Sequence, residues 1–370
     1  MRIGINATCL NDRPSGAKQR FIGIYGSLFK LLEDTEFLIY EPSDCHVGKW
    51  FNGQVNVSAK PTSIPSVGRW TKLLASTYFW SKEFSKENFG LFDAMHLPLF
   101  HPQKAKVILT IHDIRDLYPQ HSSMNRFVYQ SVLRHALSCA NHVVTVSAAM
   151  REEILDFYPH PSVSVIYNGF DSGVFLSFTQ EDGESFLAKY KLPRDFVLAV
   201  GHYEKRKNYS CLVDAIALLK KQGFNCPLVI IGNDSGEMSA LSMQIESLGL
   251  LSQVHLLTGL SDFEVRCAYL MSSLFVFPSS YEGFGIPILE AMAAGKPMVL
   301  SNLPVFREIT KDQSIYFSPE SIEEMASALK TGLSSTELRL KMVDFGRKRV
   351  NDFRFDSIAQ DLKEVYLKCL

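Results

Sequence analysis

The chain predicts an α/β fold of two doubly wound parallel-sheet domains, and three observations carry that prediction. Strand-length apolar runs alternate with segments of helical periodicity along most of the 370 residues. The alternation comes in two series, parted by the turn-rich stretch Asn168-Gly-Phe-Asp-Ser-Gly173. Finally, 370 residues are long for one core and suit two domains of ordinary size.

Taken in order, the first series opens with a strand at Arg2–Asn6, a helix at Lys18–Leu32 and a strand at Phe37–Tyr40. Further strands are expected at Ala94–Leu97, Lys106–Ile111, His142–Val146 and Ser164–Ile166, with helices near Asn125–Ser138 and Ala148–Phe157. The second series begins with the helix Glu184–Tyr190 and places strands at Phe196–Val200, Leu228–Gly232, Val254–Leu257, Leu274–Phe277 and Met298–Leu300. Helices near Tyr209–Lys221, Glu237–Leu248, Phe263–Met271 and Pro287–Ala294 separate them. Such alternation gives parallel sheets covered on both faces. The expected domains are 1–170 and 171–354, with a helix at about 355–370 packing back on the first.

Bulk composition narrows the classes. Hydrophobic content of 46% with 21% charged residues is that of a soluble globular protein. No apolar run approaches the roughly 20 residues of a membrane helix. Met1-Arg-Ile-Gly-Ile-Asn enters a strand at once, with no apolar signal region. Seven scattered cysteines with no Cys-x-x-Cys argue against a disulfide framework or zinc site and fit a reducing cytoplasm. Residues 1–170 carry 17 Lys+Arg against 14 Asp+Glu, and residues 171–370 carry 21 against 25. A mildly basic first half suits an anionic membrane surface or, equally, a solvated face.

Ligands of open α/β sheets bind beyond the carboxyl ends of the strands, so the strand-end loops are read first, as facing a cleft between the domains. After the strand at 274–277 comes Tyr281-Glu-Gly-Phe-Gly-Ile-Pro-Ile-Leu-Glu290, a glycine loop and a helix that opens at Pro287 and is closed by Gly295. Gly283 and Gly285 let backbone approach a ligand, and the helix N-terminus suits an anion. Glu282 and Glu290 bracket the loop and suit hydroxyls of a ribose or hexose. A sugar nucleotide answers both demands, although a strand-to-helix turn needs glycine in any case.

Three other loops carry chemistry. Gly201-His-Tyr-Glu-Lys-Arg206-Lys207-Asn208 puts two cations at the start of a helix, where the dipole disfavours them. A bound diphosphate would compensate, and a solvated basic turn is the plain alternative. His112-Asp113 follows the strand at 106–111; the histidine can donate to a sugar hydroxyl, with Asp113 fixing its tautomer or capping the next segment. Ser15-Gly16-Ala17 opens the first helix. The stretch 68–86 mixes cations with Trp70, Tyr78, Phe79, Trp80 and Phe84, and reads either as a membrane or lipid-linked-acceptor contact or as a helix packed on the first sheet. The chain lacks Gly-x-Gly-x-x-Gly after the first strand, a P-loop, Asp-x-Asp and any Cys/His cluster. No dinucleotide cofactor or metal is therefore expected.

With these loops in hand, the chain resembles a family 4 glycosyltransferase of the GT-B fold, over nearly its whole length and most densely in the second domain. The resemblance implies an acceptor domain at 1–170 and a sugar-nucleotide donor domain at 171–354. It implies that Glu282 binds the transferred sugar, Glu290 the ribose, and the Gly283-Phe284-Gly285 backbone the sugar and phosphate. Arg206 and Lys207 match the diphosphate pair, His112 (with Asp113 beside it) the histidine near the anomeric centre, and Gly16 the glycine beneath the phosphates. His202 departs from the second arginine of many members, and Ser-Gly-Ala from the usual Gly-Gly. Family membership implies transfer with retention and without metal, of a hexose such as mannose or glucose from GDP-mannose or UDP-glucose. The acceptor would be a glycan or lipid-linked oligosaccharide of a bacterial surface polysaccharide, with no role for nucleic acid. The expected location is the cytoplasm, at the inner-membrane surface if the 68–86 stretch meets lipid. A sugar-nucleotide epimerase and a non-catalytic assembly subunit are the alternatives; the first would turn over donor without acceptor, the second would lack the Arg-Lys and Glu pairs.

Overall fold

The structure, a computed structural model, describes residues 1–12, 15–84, 86–97, 102, 104–117 and 123–370, without the side chains at 69, 70, 73 and 123. The chain forms two compact units, Met1–Phe170 with Phe353–Leu370, and Asp171–Asp352.

Among the described residues the first unit holds seven strands, β1 (Arg2–Asn6), β2 (Glu36–Glu41), β3 (Val57–Pro61), β4 (Leu91–Ala94), β5 (Lys106–Ile111), β6 (His142–Thr145) and β7 (Val163–Val165). They pair in parallel in the order β3-β2-β1-β4-β5-β6-β7. Beside β1, strand β4 is buried along its length and β2 is buried past exposed Glu36, as expected where helices cover both faces. The first helical run, Gly16–Leu31, is interrupted by a five-residue π turn, Phe21–Tyr25. Within it Arg20 is 1% exposed, and its Nη1 donates to Ile166 O, Tyr167 O and Asn168 Oδ1 at 2.8–3.0 Å, tying the run to the segment after β7.

The second unit holds β8 (Val197–Val200), β9 (Leu228–Ile231), β10 (Val254–Leu257), β11 (Leu274–Phe277), β12 (Met298–Ser301) and β13 (Ile315–Phe317). Their order is β10-β9-β8-β11-β12-β13, again all parallel. The strand order reverses at β8 and β11, which makes their carboxyl ends the switch point of this sheet. The chain then returns to the first unit as the helix Phe355–Cys369, whose Ile358, Ala359, Leu362, Val365 and Tyr366 join that unit's core.

One expectation needs correction, and two further points go beyond the sequence reading. The strand expected at Ala94–Leu97 lies at Leu91–Ala94, because Asp93 is not a loop residue but a buried one, accepting hydrogen bonds from Tyr25 (2.5 Å) and Tyr366. The edge strands β3 and β13 went unread. The polar, proline-ended Val57-Ser-Ala-Lys-Pro61 has the composition of an edge rather than an interior strand. The stretch read in two ways is a helix, Arg69–Glu83, with Trp80 3% exposed and packed edge-on to Tyr40 and Phe92. Leu74 and Tyr78 remain outside that packing, 72% and 63% exposed. Trp70's side chain lies outside the described residues.

Candidate functional site

In the second unit two loops meet beyond β8 and β11. After β8, Gly201 at φ +152° turns the chain, and a 3₁₀ turn, Lys205–Lys207, precedes the helix Tyr209–Lys221. The two cations therefore sit in a turn of their own, released from the following helix by Asn208 in the left-handed region (φ 58°), not in its first turn. A Cβ on Gly201 would lie 2.8 Å from Lys207 Cε, so only glycine leaves room for that ammonium. Gly232 is needed as well, since its Cβ would fall 2.0 Å from Gly201 O. Tyr203 Oη lies 2.7 Å from Ile230 O and 3.1 Å from Leu257 O, fixing the loop to the ends of β9 and β10.

The loop after β11 is joined to this turn through backbone, with Ser280 N–H donating to Arg206 O at 2.8 Å. Its Glu282 gathers both cations on one oxygen. Oε1 lies 2.7 Å from Lys207 Nζ and 2.6 Å from Arg206 Nη1, and it also accepts from Ser279 Oγ at 3.0 Å. Arg206 reaches Glu204 Oε1 at 2.5 Å, and the Lys207 ammonium stands 4.6 Å from the centre of the Phe277 ring. Burial alone would raise the Glu282 carboxyl, but Lys207 and then Arg206 hold it at about 2. For Lys207 burial is the largest influence, and with Arg206's repulsion it brings the amine below its ordinary value despite Glu282. Glu282 thus stands among the cations, a contact that its assignment to sugar hydroxyls alone did not anticipate.

Gly283 and Phe284 are buried, and Gly285 at φ +137° starts the helix Ile286–Ala293. That N-terminus offers fewer donors than expected. Pro287 has no N–H, and the Ile288 N–H already donates to Gly285 O at 2.9 Å. Glu290 lies in the second turn of that helix. Its Oε2 is 2.8 Å from the hydroxyl of buried Tyr269, and burial raises its carboxyl, with Tyr269 opposing.

The first unit carries a pocket of about 610 Å³ on which the ends of β1, β4 and β5 converge. His112 and Asp113 line it. His112 Nε2 is buried with no partner among the described residues, and burial, aided by the Arg20 charge, brings the imidazole down to about 3. It is therefore neutral near pH 7. Asp113 serves the next segment, accepting from Arg115 N–H at 3.3 Å. Gly16, expected beneath phosphates, is the exposed first residue of its helix, which Ser15 caps through Lys18 N–H at 3.2 Å. Among the described residues no group of three or more His, Cys, Asp or Glu is placed to hold a metal ion, and no helix is long and apolar enough to cross a membrane.

Two sequence families match the chain in succession, "Glycosyltransferase Family 4" at residues 48–173 and "Glycosyl transferases group 1" at 184–349. The chain belongs to glycosyltransferase family 4. Relatives of this family 4 chain include the O-antigen chain mannosyltransferase RfbU of Salmonella typhimurium, 28% identical over 60% of this chain and 59% of that one. O-antigen chain mannosyltransferase B of Escherichia coli is 26% identical over 70% of each. The chain thus spans about 60–70% of the length of these curated relatives. Among solved structures, Anabaena HepE in complex with UDP and glucose superposes with a TM-score of 0.76 over 100% of both chains at 19% identity. WaaG, a glycosyltransferase involved in lipopolysaccharide biosynthesis, gives 0.77 at 13%, covering 98% of this chain and 99% of that one. At such identities the two structures establish the GT-B fold.

Several side chains of these family 4 sites escaped the sequence reading. Tyr269, Phe277 and Gly232 gain their roles only through contacts with distant positions, and Ser279 through Glu282, three residues on. Lys72, His96 and Thr110 line the first unit's pocket. Treating every residue just past a strand as a candidate would have found His96, which follows β4, as it found His112.

Proposed function

We propose that this chain transfers a hexose, mannose or glucose, from a nucleotide diphosphate sugar to a glycan or lipid-linked glycan during surface-polysaccharide assembly, with retention and without metal. The observation that carries the proposal is the convergence of Arg206, Lys207 and Glu282 at the switch point of the second sheet. A buried lysine and a partly buried arginine held against one carboxylate are charge stored for an incoming anion. A diphosphate would draw both cations onto its oxygens by charge-assisted hydrogen bonds, and Glu282 would then be free to face the sugar's hydroxyls. As the glycosidic bond breaks, negative charge grows on the leaving diphosphate, where Arg206 and Lys207 stabilise it in place of a metal ion. Glu290, held by Tyr269, would take the ribose. In the first unit, neutral His112 is able to hydrogen-bond a sugar hydroxyl, and the pocket around it is assigned to the acceptor. The named activities of the O-antigen mannosyltransferases support the donor class and the pathway, and the UDP-glucose complexes of HepE keep glucose in view. The proposal includes a cytoplasmic location and contact with the membrane surface through the exposed Leu74 and Tyr78 side chains.

Incubation with GDP-mannose and with UDP-glucose, each with and without polyprenyl-diphosphate glycan, tests the reading directly. Product is expected only with acceptor, and excess EDTA leaves the rate unchanged. Donor conversion without acceptor would indicate an epimerase, and loss in EDTA restored by magnesium would overturn metal independence. Lys207→Ala should lower turnover about 10²–10³-fold, the usual cost of one such donor, with circular dichroism unchanged.

A further inference from the structure

The pocket of the first unit contains a partly buried cation that neither the donor site nor His112 accounts for. Lys72 lines it, and its ammonium donates to Thr8 O at 3.1 Å and Ser66 O at 3.5 Å. Among the described residues no carboxylate is ion-paired with it; Asp44, which influences it from a distance, is engaged by Ser66 N–H and Oγ, both at 2.9 Å. Charges withdrawn from water are ordinarily paired, and one met by two carbonyls and the Cys9 thiol, which burial keeps protonated, has capacity left for an anion. The surrounding donors are of the same kind. Thr110, 2% exposed, lines the pocket with an Oγ1 that has no partner among the described residues, and His112 Nε2 is in the same condition. His96 Nε2 lies 3.1 Å from Thr8 Oγ1, which itself donates to Asn6 Oδ1 at 2.8 Å, so His96 is the donor of that pair and presents no negative charge. The acids of the pocket, Asp113 and Asp116, act with Arg115 on Tyr129, and neither is ion-paired with Lys72 among the described residues.

We propose that this pocket takes an acceptor bearing an anionic group, a carboxylate or a phosphate, seated on Lys72 with Thr110 as a second donor. The proposal rests on the glycosyltransferase reading of the pocket. The plain alternative is that Lys72 only tethers the loops at Thr8 and Ser66. Ligand-observed NMR on the full chain separates the two, with glucuronate and glucose 6-phosphate as anionic probes and glucose as the neutral one. Both anionic sugars, or the one whose geometry fits, should bind at least about tenfold tighter than glucose, the worth of a hydrogen bond to a charged group. The preference should persist in Lys72→Arg and collapse in Lys72→Met. An equal response to all three sugars, no binding of either anionic sugar, or a preference that survives Lys72→Met would overturn the proposal. If Lys72→Met fails to fold, Lys72→Gln replaces it, and Thr110→Val provides an independent arm with a smaller loss. Wild-type binding of UDP and GDP, followed in the same samples, tests the donor reading separately. Anionic preference without nucleotide binding would remove glycosyl transfer and leave the Lys72 site standing.

Discussion

Glu282 is the residue on which the donor site turns, because one oxygen compensates two cations. Its neutral replacement therefore has a definite sign. Glu282→Gln takes from Lys207 its paired carboxylate and leaves Arg206 with Glu204 alone, so bare nucleoside diphosphate should bind more tightly, by up to about tenfold, while transfer falls. Glu290→Gln should weaken the same ligand through the ribose. Calorimetry on both variants decides it, and equal losses in the two would dissolve the division of roles. The low carboxyl of Glu282 also fixes a pH dependence. Its folded value of about 2 lies below the ordinary 4.5. The stabilisation is complete above 4.5 and is lost as pH falls toward 2, so acid unfolding of the wild type should be steeper there than that of Glu282→Gln. His112 should titrate near pH 3 by NMR rather than at 6.5. Arg206, Lys207 and Glu282 were singled out in the sequence because each lies in a loop that follows a strand, and Glu290 because it lies in the helix that such a loop opens. Tyr269 was not, since nothing local distinguishes a tyrosine that holds Glu290 from one that merely fills a core.

The elements best read were those with clean periodicity. Ala148–Phe157 and Tyr209–Lys221 fall where their apolar spacing and flanks place them. The misplaced fourth strand shows where such reading fails, because Asp93 looks like a strand breaker until two tyrosine hydroxyls are seen to meet it. One of these comes from helix Phe355–Cys369, more than two hundred residues away in sequence. That helix is also seated sterically. A Cβ on Gly23 or Gly169 would come within 2.3 Å of the Phe355 ring. Gly23→Ala should accordingly cost about 1–3 kcal/mol by overpacking, read as a lowered denaturation midpoint. Combining it with Phe355→Leu should recover part of that loss. Simple additivity of the two substitutions would show that the ring yields without strain.

At the level of the whole chain, the two units should respond differently to ligand. Nucleoside diphosphate at about 100 times its Kd adds about 2.7 kcal/mol to whatever unfolds with its site. Hydrogen exchange should therefore slow most within Asp171–Asp352, around residues 201–208 and 282–290, and protection centred elsewhere would contradict the donor assignment. The return of the chain to its first unit has a further consequence, in the order of biosynthesis. When Phe170 leaves the ribosome, the first unit has all seven described strands, but Asp93 and Tyr25 lack Tyr366, and the apolar seat of helix Phe355–Cys369 is open. The whole of the second unit must be translated before that seat is filled, a delay of about 10–40 s at 5–20 residues per second. The second unit, continuous in sequence, is able to finish folding first. The nascent first unit waits through that interval with its hydrophobic face uncovered, and this is the period in which a chaperone would have something to hold.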